Sequence, residues 1–321
     1  MDDKLNLVTG AFSYTGKYIT ELLLRMGEKV QTLTGHPHRN PFKKRIIVFP
    51  YNFDDLDKLK KTLEGVNTLY NTYWIHFSYH KSTIDKAVEN TKKLVLAAKE
   101  AGVKRIVHIS VSNPRETSPL PYFRGKARAE EFIINSELSY AIIRPTIIFG
   151  LENIPLNNIA YFLRKFPLFA VFGSGKYLIR PIFVGDVAEI AVKLGHREEN
   201  IIVDIAGPEV FTYDQLVHLI ARSINSRAKI IHLPPEITLF IGKILGYILK
   251  DVTINRNEMR GLMSNLYISK HPLIGKTCIS QWLKQNAEKI GTRYISELKR
   301  YYFPWIKLNA SSTASSGDSA T

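Results

Sequence analysis

The chain has 321 residues, 45% hydrophobic and 23% charged, with 44 Lys and Arg against 29 Asp and Glu for a net charge of +15. That length and balance exclude a disordered or fibrous chain and allow one large domain with a smaller companion. A lone cysteine, Cys278, excludes an internal disulfide and a cysteine-built metal site; the positive excess is spread over both halves rather than gathered in an arm, so no nucleic-acid partner is expected.

Met1-Asp2-Asp3-Lys4 leads straight into a short apolar strand at Leu5–Val8, so no signal peptide is expected and a cytoplasmic location is. The strand runs into Thr9-Gly10-Ala11-Phe12-Ser13-Tyr14-Thr15-Gly16, and a helical pattern follows from Lys17 to Met26. Strand, glycine turn and helix in this order are how a dinucleotide-binding domain begins. The helix N-terminus offers free backbone N–H groups and the positive end of its dipole to a pyrophosphate. Gly10 can make the tight turn, and Gly16, lacking Cβ, lets the helix pack close to the strand. Ser13 stands in the place of the middle glycine, where its hydroxyl can donate to a phosphate oxygen.

Further strands are expected at 29–34, 45–49, 66–71, 104–110 and 139–144, with helices near 56–63 and 82–101, the latter ending at Gly102. Their alternation predicts an α/β fold, a doubly wound parallel Rossmann sheet with the glycine turn at its carboxyl edge. After Gly150 the rhythm breaks into loop and helix, then a helix at 186–194 and one more strand at 201–206. The expected organisation is an NAD(P)-binding Rossmann domain of residues 1–150 and 182–206. A small, mostly helical substrate region takes 151–181 and 207–307, and 308–321 is a disordered Ser/Ala/Thr-rich tail.

Ile237–Leu249 is strongly apolar but too short to span a bilayer. It reads as a buried helix or the face of a homodimer, or as an interfacial helix aided by Lys250, Arg256 and Arg260. The interval 237–260 is therefore the candidate for peripheral membrane contact. His36 and His38 have no further ligands nearby in sequence, so no metal site is expected. His108 reads as a core histidine, and Trp282, Ile290, Tyr294 and Leu298 as core residues at helical spacing.

Two motifs carry chemistry. Ser110-Val111-Ser112 ends the fifth strand, and Tyr122-Phe123-Arg124-Gly125-Lys126 begins the next helix. The i, i+4 spacing puts Tyr122 and Lys126 on one helix face. A lysine beside a phenol favours the phenolate and lowers its pKa, which suits the tyrosine to pass a proton to or from a substrate hydroxyl. A strand-end serine can orient the same oxygen.

With these residues in place, the chain resembles the short-chain dehydrogenase/reductase superfamily. More narrowly it is similar to the extended and atypical members, the NAD-dependent epimerase/dehydratase and NmrA-like groups. The resemblance includes Asn52-Phe53-Asp54-Asp55, Asn90 to Ser110, Arg144-Pro145 with Gly150, and Pro181 to Ala188. Within the group it resembles the subset related to the NADPH-binding accessory subunit of respiratory complex I.

The resemblance implies that Gly10, Ser13 and Gly16 hold the pyrophosphate with backbone help from Phe12, Tyr14 and Thr15. It puts Asn52 and Phe53 near the adenine, Asn71 beside the ribose or nicotinamide, and Pro145 behind the nicotinamide. Ser112, Tyr122 and Lys126 become the catalytic set, with Lys126 also on the nicotinamide ribose. Asn52 departs from the family's usual aspartate. The second strand ends without an acid for a ribose 2′-hydroxyl, which together with Arg39 favours NADP over NAD. The implied function is an NAD(P)-dependent oxidoreductase or epimerase moving hydride between the nicotinamide and a small-molecule secondary alcohol or ketone. The alternative is a non-catalytic NADPH-binding subunit or redox sensor of a complex I-like assembly.

Overall fold

The computed structural model describes residues 4–302. The chain opens with β1 Leu5–Thr9, α1 Tyr14–Arg25, β2 Lys29–Thr34, β3 Ile47–Pro50, α2 Leu56–Leu63 and β4 Val66–Asn71. It continues with α3 Ile84–Glu100, β5 Arg105–Ile109, α4 Pro121–Ile134 and β6 Ser139–Pro145. These strands join Ile201–Ala206 and Leu273–Ile274 in one eight-stranded sheet, in the order Leu273–Ile274, Ile201–Ala206, β6, β5, β4, β1, β2, β3. Every neighbouring pair is parallel.

A parallel sheet needs cover on both faces, because its connections are helices that pack back onto it. One face is covered by α1 and the helix Val184–Gly195, around Val8, Val107, Ala141 and Ile205. The other is covered by α2, α3 and α4, around Leu7, Leu33, Leu69 and Ile106. The chain winds one way from β1 through β2 to β3, then crosses back to β4 on the other side of β1 and continues that way. The crevice this leaves at the carboxyl ends is where ligands of such sheets bind.

The second region packs the helices Ile154–Lys165, Tyr213–Ser223, Pro235–Leu249, Arg256–Met263 and Ile279–Asn286 around Phe149, Val171, Leu216 and Trp282. It is mostly helical, with one addition: Leu168–Phe172 pairs in parallel with Lys229–Leu233. Leu273–Ile274 is also an addition, extending the main sheet by a strand too short to carry a period. Trp282, Ile290 and Leu298 are buried as expected, but the helix through Trp282 ends at Asn286. The expected tail at 308–321 lies outside the described residues. No described helix is long and apolar enough to cross a membrane.

Candidate functional site

Gly10 ends β1 with φ +67°, and the turn closes when the Ser13 N–H donates to the Gly10 carbonyl at 2.8 Å. An added Cβ at Gly16 would lie 2.3 Å from that same carbonyl oxygen, so only glycine lets α1 approach β1 this closely. Tyr14, Thr15 and Gly16 open α1, whose first N–H groups have no intrahelical acceptor, and the first turn carries no acidic residue. The turn is thus prepared for an anion. The Ser13 hydroxyl donates to the Gly10 carbonyl at 2.6 Å, so its proton is held inside the turn rather than offered to a phosphate oxygen as expected.

One cavity of about 1800 Å³ starts at this turn, roughly twice the upper end of the usual ligand-pocket range of about 300–1,000 Å³. Of the residues expected at a cofactor, Gly10, Ser13, Tyr14, Thr15, Phe53, Lys126 and Pro145 line it. Phe53 belongs to an aromatic cluster with Tyr51 and Tyr73, at ring separations of 4.9–5.2 Å. Phe12, Gly16, Asn52, Asn71, Arg39 and Ser112 lie outside the lining. Phe12 packs towards Phe42, 6.3 Å away. The Asn52 amide lies 3.4 Å from Thr62 Oγ1.

Asn71 is fully buried as a bracket between strands. Its carbonyl accepts from Thr9 Oγ1 at 3.0 Å and the Tyr73 N–H at 3.1 Å, while its amide donates to His108 Nδ1 at 3.1 Å. Burial, with a smaller push from Lys126, keeps His108 neutral. Arg39 follows β2 in a short 3₁₀ turn, but its guanidinium donates to the carbonyls of Arg300 at 3.1 Å and Lys299 at 3.4 Å. His36, between β2 and Arg39, does line the cavity; burial first, then Arg39, pull its pKa down to about 4.

At the other end of the crevice, α4 starts at Pro121. Gly125 lets it pack against α3, where a Cβ would lie 2.5 Å from Ile84 Cγ2. Arg144 on β6 grips Glu130 of α4 through Nη2 at 2.5 Å and Nε at 3.1 Å, and the Ser110 hydroxyl donates to the same carboxylate. This bidentate pair fixes the helix that carries Tyr122 and Lys126 over the ends of β5 and β6.

The two side chains take different surroundings from those expected on spacing alone. Lys126 is 2% exposed, donates to the Ile109 carbonyl at 2.7 Å and lies 4.3 Å over the Trp74 ring. Burial lowers its pKa to about 7 against the upward pull of Glu130. Tyr122 stands between Trp74 and His76, each ring 6.5 Å away, and its pKa is raised, first by burial and then by Glu258 and Glu297. The expected lowering by Lys126 is therefore reversed: the ammonium is turned to a carbonyl and an indole, and burial, then Glu258 and Glu297, disfavour the phenolate. Ser112 also departs from expectation. It is fully buried, and its hydroxyl donates to the Leu266 carbonyl at 2.7 Å. Of the two serines in this motif, Ser110 is the one that lines the cavity.

Three titratable residues meet at the junction, His76, Glu258 and Glu297, none of them marked by a sequence motif. His76 Nδ1 sits 2.8 Å from Glu297 Oε1; burial opposes its charge, but Glu297 overcomes this and raises its pKa to about 9. Glu258 also lines the cavity, and burial raises its pKa to about 7. Asp251 positions Glu297 by accepting from the N–H groups of Glu297 at 2.9 Å and Leu298 at 3.0 Å. The three come from separate stretches of chain, so no spacing announces them; the only local signal was an aromatic run, Tyr73-Trp74, beside His76.

A Rossmann sheet with an anion-ready glycine turn opening into a deep cleft defines a dinucleotide-binding protein. Residues 10–155 match the NAD(P)H-binding family model. The mitochondrial NADH dehydrogenase (ubiquinone) 1 alpha subcomplex subunit 9 of Arabidopsis thaliana is 27% identical over 239 residues, which cover 71% of this chain and 60% of the relative. This chain thus spans about three fifths of that protein's length. The UDP-glucose 4-epimerase of Thermotoga maritima, solved with UDP-glucose, has the same fold at a TM-score of 0.69 and 14% identity, covering 89% of this chain and 98% of the other. The NADPH-dependent quinone oxidoreductase of Escherichia coli, solved with NADPH, gives 0.69 and 20% identity over 88% and 98%. Residues 10–155 are thus an NAD(P)H-binding domain, the chain has relatives among mitochondrial NADH dehydrogenase subunits, and its fold is that of epimerase- and reductase-type enzymes.

Proposed function

We propose that the protein is an NAD(P)H-dependent oxidoreductase that interconverts the carbonyl and secondary-alcohol forms of a small molecule. The observation that carries this reading is the continuity of one cavity from Gly10 and Thr15 to Tyr122 and Lys126. A bound nicotinamide supplies or accepts the hydride at the carbonyl carbon. Tyr122 supplies the proton to the carbonyl oxygen, and the raised phenol pKa keeps that proton in place at neutral pH. His76, cationic at neutral pH beside Glu297, stands next to the phenol as a proton source to replace it. Lys126 lines the same cavity and, turned from the Ile109 carbonyl, would hold the nicotinamide ribose. NADPH is favoured over NADH because β2 ends in Thr34-Gly35-His36 without a carboxylate.

A second reading, a non-catalytic NADPH-binding subunit of a respiratory assembly, is favoured by the Ser112 hydroxyl being spent on Leu266 and by the complex I relative. In either case we propose a membrane-associated protein that meets the bilayer through residues 237–260. Six apolar side chains of the helix Pro235–Leu249 are exposed, among them Phe240, Tyr247 and Ile248. They stand at i, i+3, i+4, i+7, i+10 and i+11 from Ile237, one outward stripe. Lys243, Lys250, Arg256 and Arg260 beside it favour an anionic bilayer over a homodimer face as its cover.

Tyr122→Phe tests the leading reading. It keeps the ring and deletes the proton donor, so turnover with NADPH over a panel of ketones, quinones and nucleotide sugars falls roughly 10²–10⁴-fold while NADPH affinity is unchanged. A wild type that binds NADPH yet turns over nothing in that panel transfers the assignment to the non-catalytic subunit.

A further inference from the structure

We propose that the limb of the cavity running beneath the helix Pro235–Leu249 holds the hydrocarbon tail of a lipid-borne substrate, whose carbonyl end lies at Tyr122. This rests on the oxidoreductase reading of the cavity for the carbonyl end only; the tail site stands on its own lining.

Beyond Tyr122 the character of the wall changes. The lining side chains between residues 159 and 172 are all apolar, Phe162 and Phe169 among them. Those between 231 and 254, such as Ile231, Leu233 and Leu245, are apolar except Thr238 and Thr253. Both threonine hydroxyls are turned into the backbone, Thr238 towards the Pro234 carbonyl at 3.3 Å and Thr253 to the Gly242 carbonyl at 2.7 Å. These two stretches therefore offer no charge and no free hydroxyl; Tyr213, its ring 5.1 Å from Phe172, adds one phenol to the same lining. A nucleotide sugar needs cations or donors for its diphosphate, and these stretches supply none. An apolar chain needs only surface to exclude water, which this wall supplies.

The polar groups collect at the limb's inner end, where Tyr122, His76, Glu258 and Asn257 line the same cavity. A ligand with one polar end and a long apolar body matches that division. The outer wall adds the route. Thr238, Ile241, Gly242 and Leu245 face the cavity from one side of the helix, while Phe240, Ile244, Tyr247 and Ile248 face outward and are 48–89% exposed. Ile241 does both, lining the cavity and remaining 38% exposed. One helix thus separates the limb from the face assigned to the bilayer, so a tail leaving the membrane passes from one apolar medium into another.

The test uses the full chain without NADPH. Dansyl-undecanoate, whose emission rises in an apolar site, is titrated in and then displaced with straight-chain methyl ketones of increasing length. The expected result is saturable binding, with ketone affinity rising up to about fourfold per added methylene until the limb is full. Ala170→Trp, which fills the limb from the strand Leu168–Phe172, weakens probe binding at least about tenfold and leaves the NADPH dissociation constant unchanged. Leu245→Phe does the same from the helix and serves if the first variant fails to fold. Phe240→Ser with Tyr247→Ser, which alters only the outer face, keeps probe binding. Ketone affinity independent of chain length, or binding lost with the outer-face variant and kept in Ala170→Trp, overturns the proposal. A wild type that binds the probe with the expected length dependence but no NADPH sinks the oxidoreductase reading and leaves the tail site standing.

Discussion

The Lys126 ammonium lies 4.3 Å from the centre of the Trp74 ring. The i, i+4 spacing brings Lys126 to the same face as Tyr122, but the local environment gives it an indole and the Ile109 carbonyl as partners. A lysine buried this way is expensive to charge, and its consequences are measurable.

Lys126 titrates near pH 7 in the folded protein, against about 10.5 for an unburied lysine. Between these values the unfolded chain binds more protons than the folded one, so stability rises with pH from about 7 to about 10.5 and is lost again as pH falls through 7. His76 and Glu258, with raised pKa values, act in the opposite sense: His76 loses stability as pH rises through about 9, Glu258 as it rises through about 7. Comparing wild type with Lys126→Met across pH removes the Glu258 contribution and leaves of His76 only its weak coupling to Lys126. The wild-type stability minus that of the variant is expected to climb by at most about 1.4 kcal/mol per pH unit in the window. A flat difference contradicts the buried, depressed lysine.

Ser112→Ala removes a hydroxyl that reaches Leu266 and not the cavity. It is expected to cost about 1 kcal/mol of stability in denaturant titration and to leave NADPH affinity and turnover within about twofold. A loss of roughly 10² or more in turnover shows instead that the serine reaches the substrate oxygen.

Much of the architecture was legible because it repeats. Parallel strands buried on both faces read as apolar runs, and β2, α2 and β4 fall at their expected bounds. Gly10 and Gly16 were legible because a backbone contact of 2.3 Å leaves no alternative to glycine. What escaped was whatever depends on distant chain. Lys229–Leu233 is a strand only because Leu168–Phe172 lies beside it. His76, Glu258 and Glu297 meet through tertiary packing. The side-chain directions of Ser112 and Lys126 were likewise decided by neighbours, Leu266 and Trp74, that no local motif includes.

The outward stripe Ile237, Phe240, Ile241, Ile244, Tyr247 and Ile248 makes a separate prediction. At low salt the protein is expected to float with phosphatidylserine vesicles and much less with neutral ones, because each nearby Lys or Arg adds about 1 kcal/mol of attraction. Phe240→Ser combined with Ile244→Ser and Tyr247→Ser abolishes flotation. Absence of the wild type from anionic vesicles at low salt contradicts the membrane assignment. A wild-type dimer that the triple variant dissociates assigns the stripe to a homodimer face.

The most direct test of the whole account is a titration of the purified protein with NADPH and, separately, NADH, followed by nicotinamide fluorescence, with Gly16→Val as control. A Cβ at position 16 lies 2.3 Å from the Gly10 carbonyl oxygen, so the variant pushes α1 away from the turn that receives the pyrophosphate. Saturable binding of NADPH, tighter than NADH, is expected in the wild type and none in Gly16→Val. If neither dinucleotide binds the wild type below millimolar concentration, the cleft is not a dinucleotide site and the proposed function fails with it.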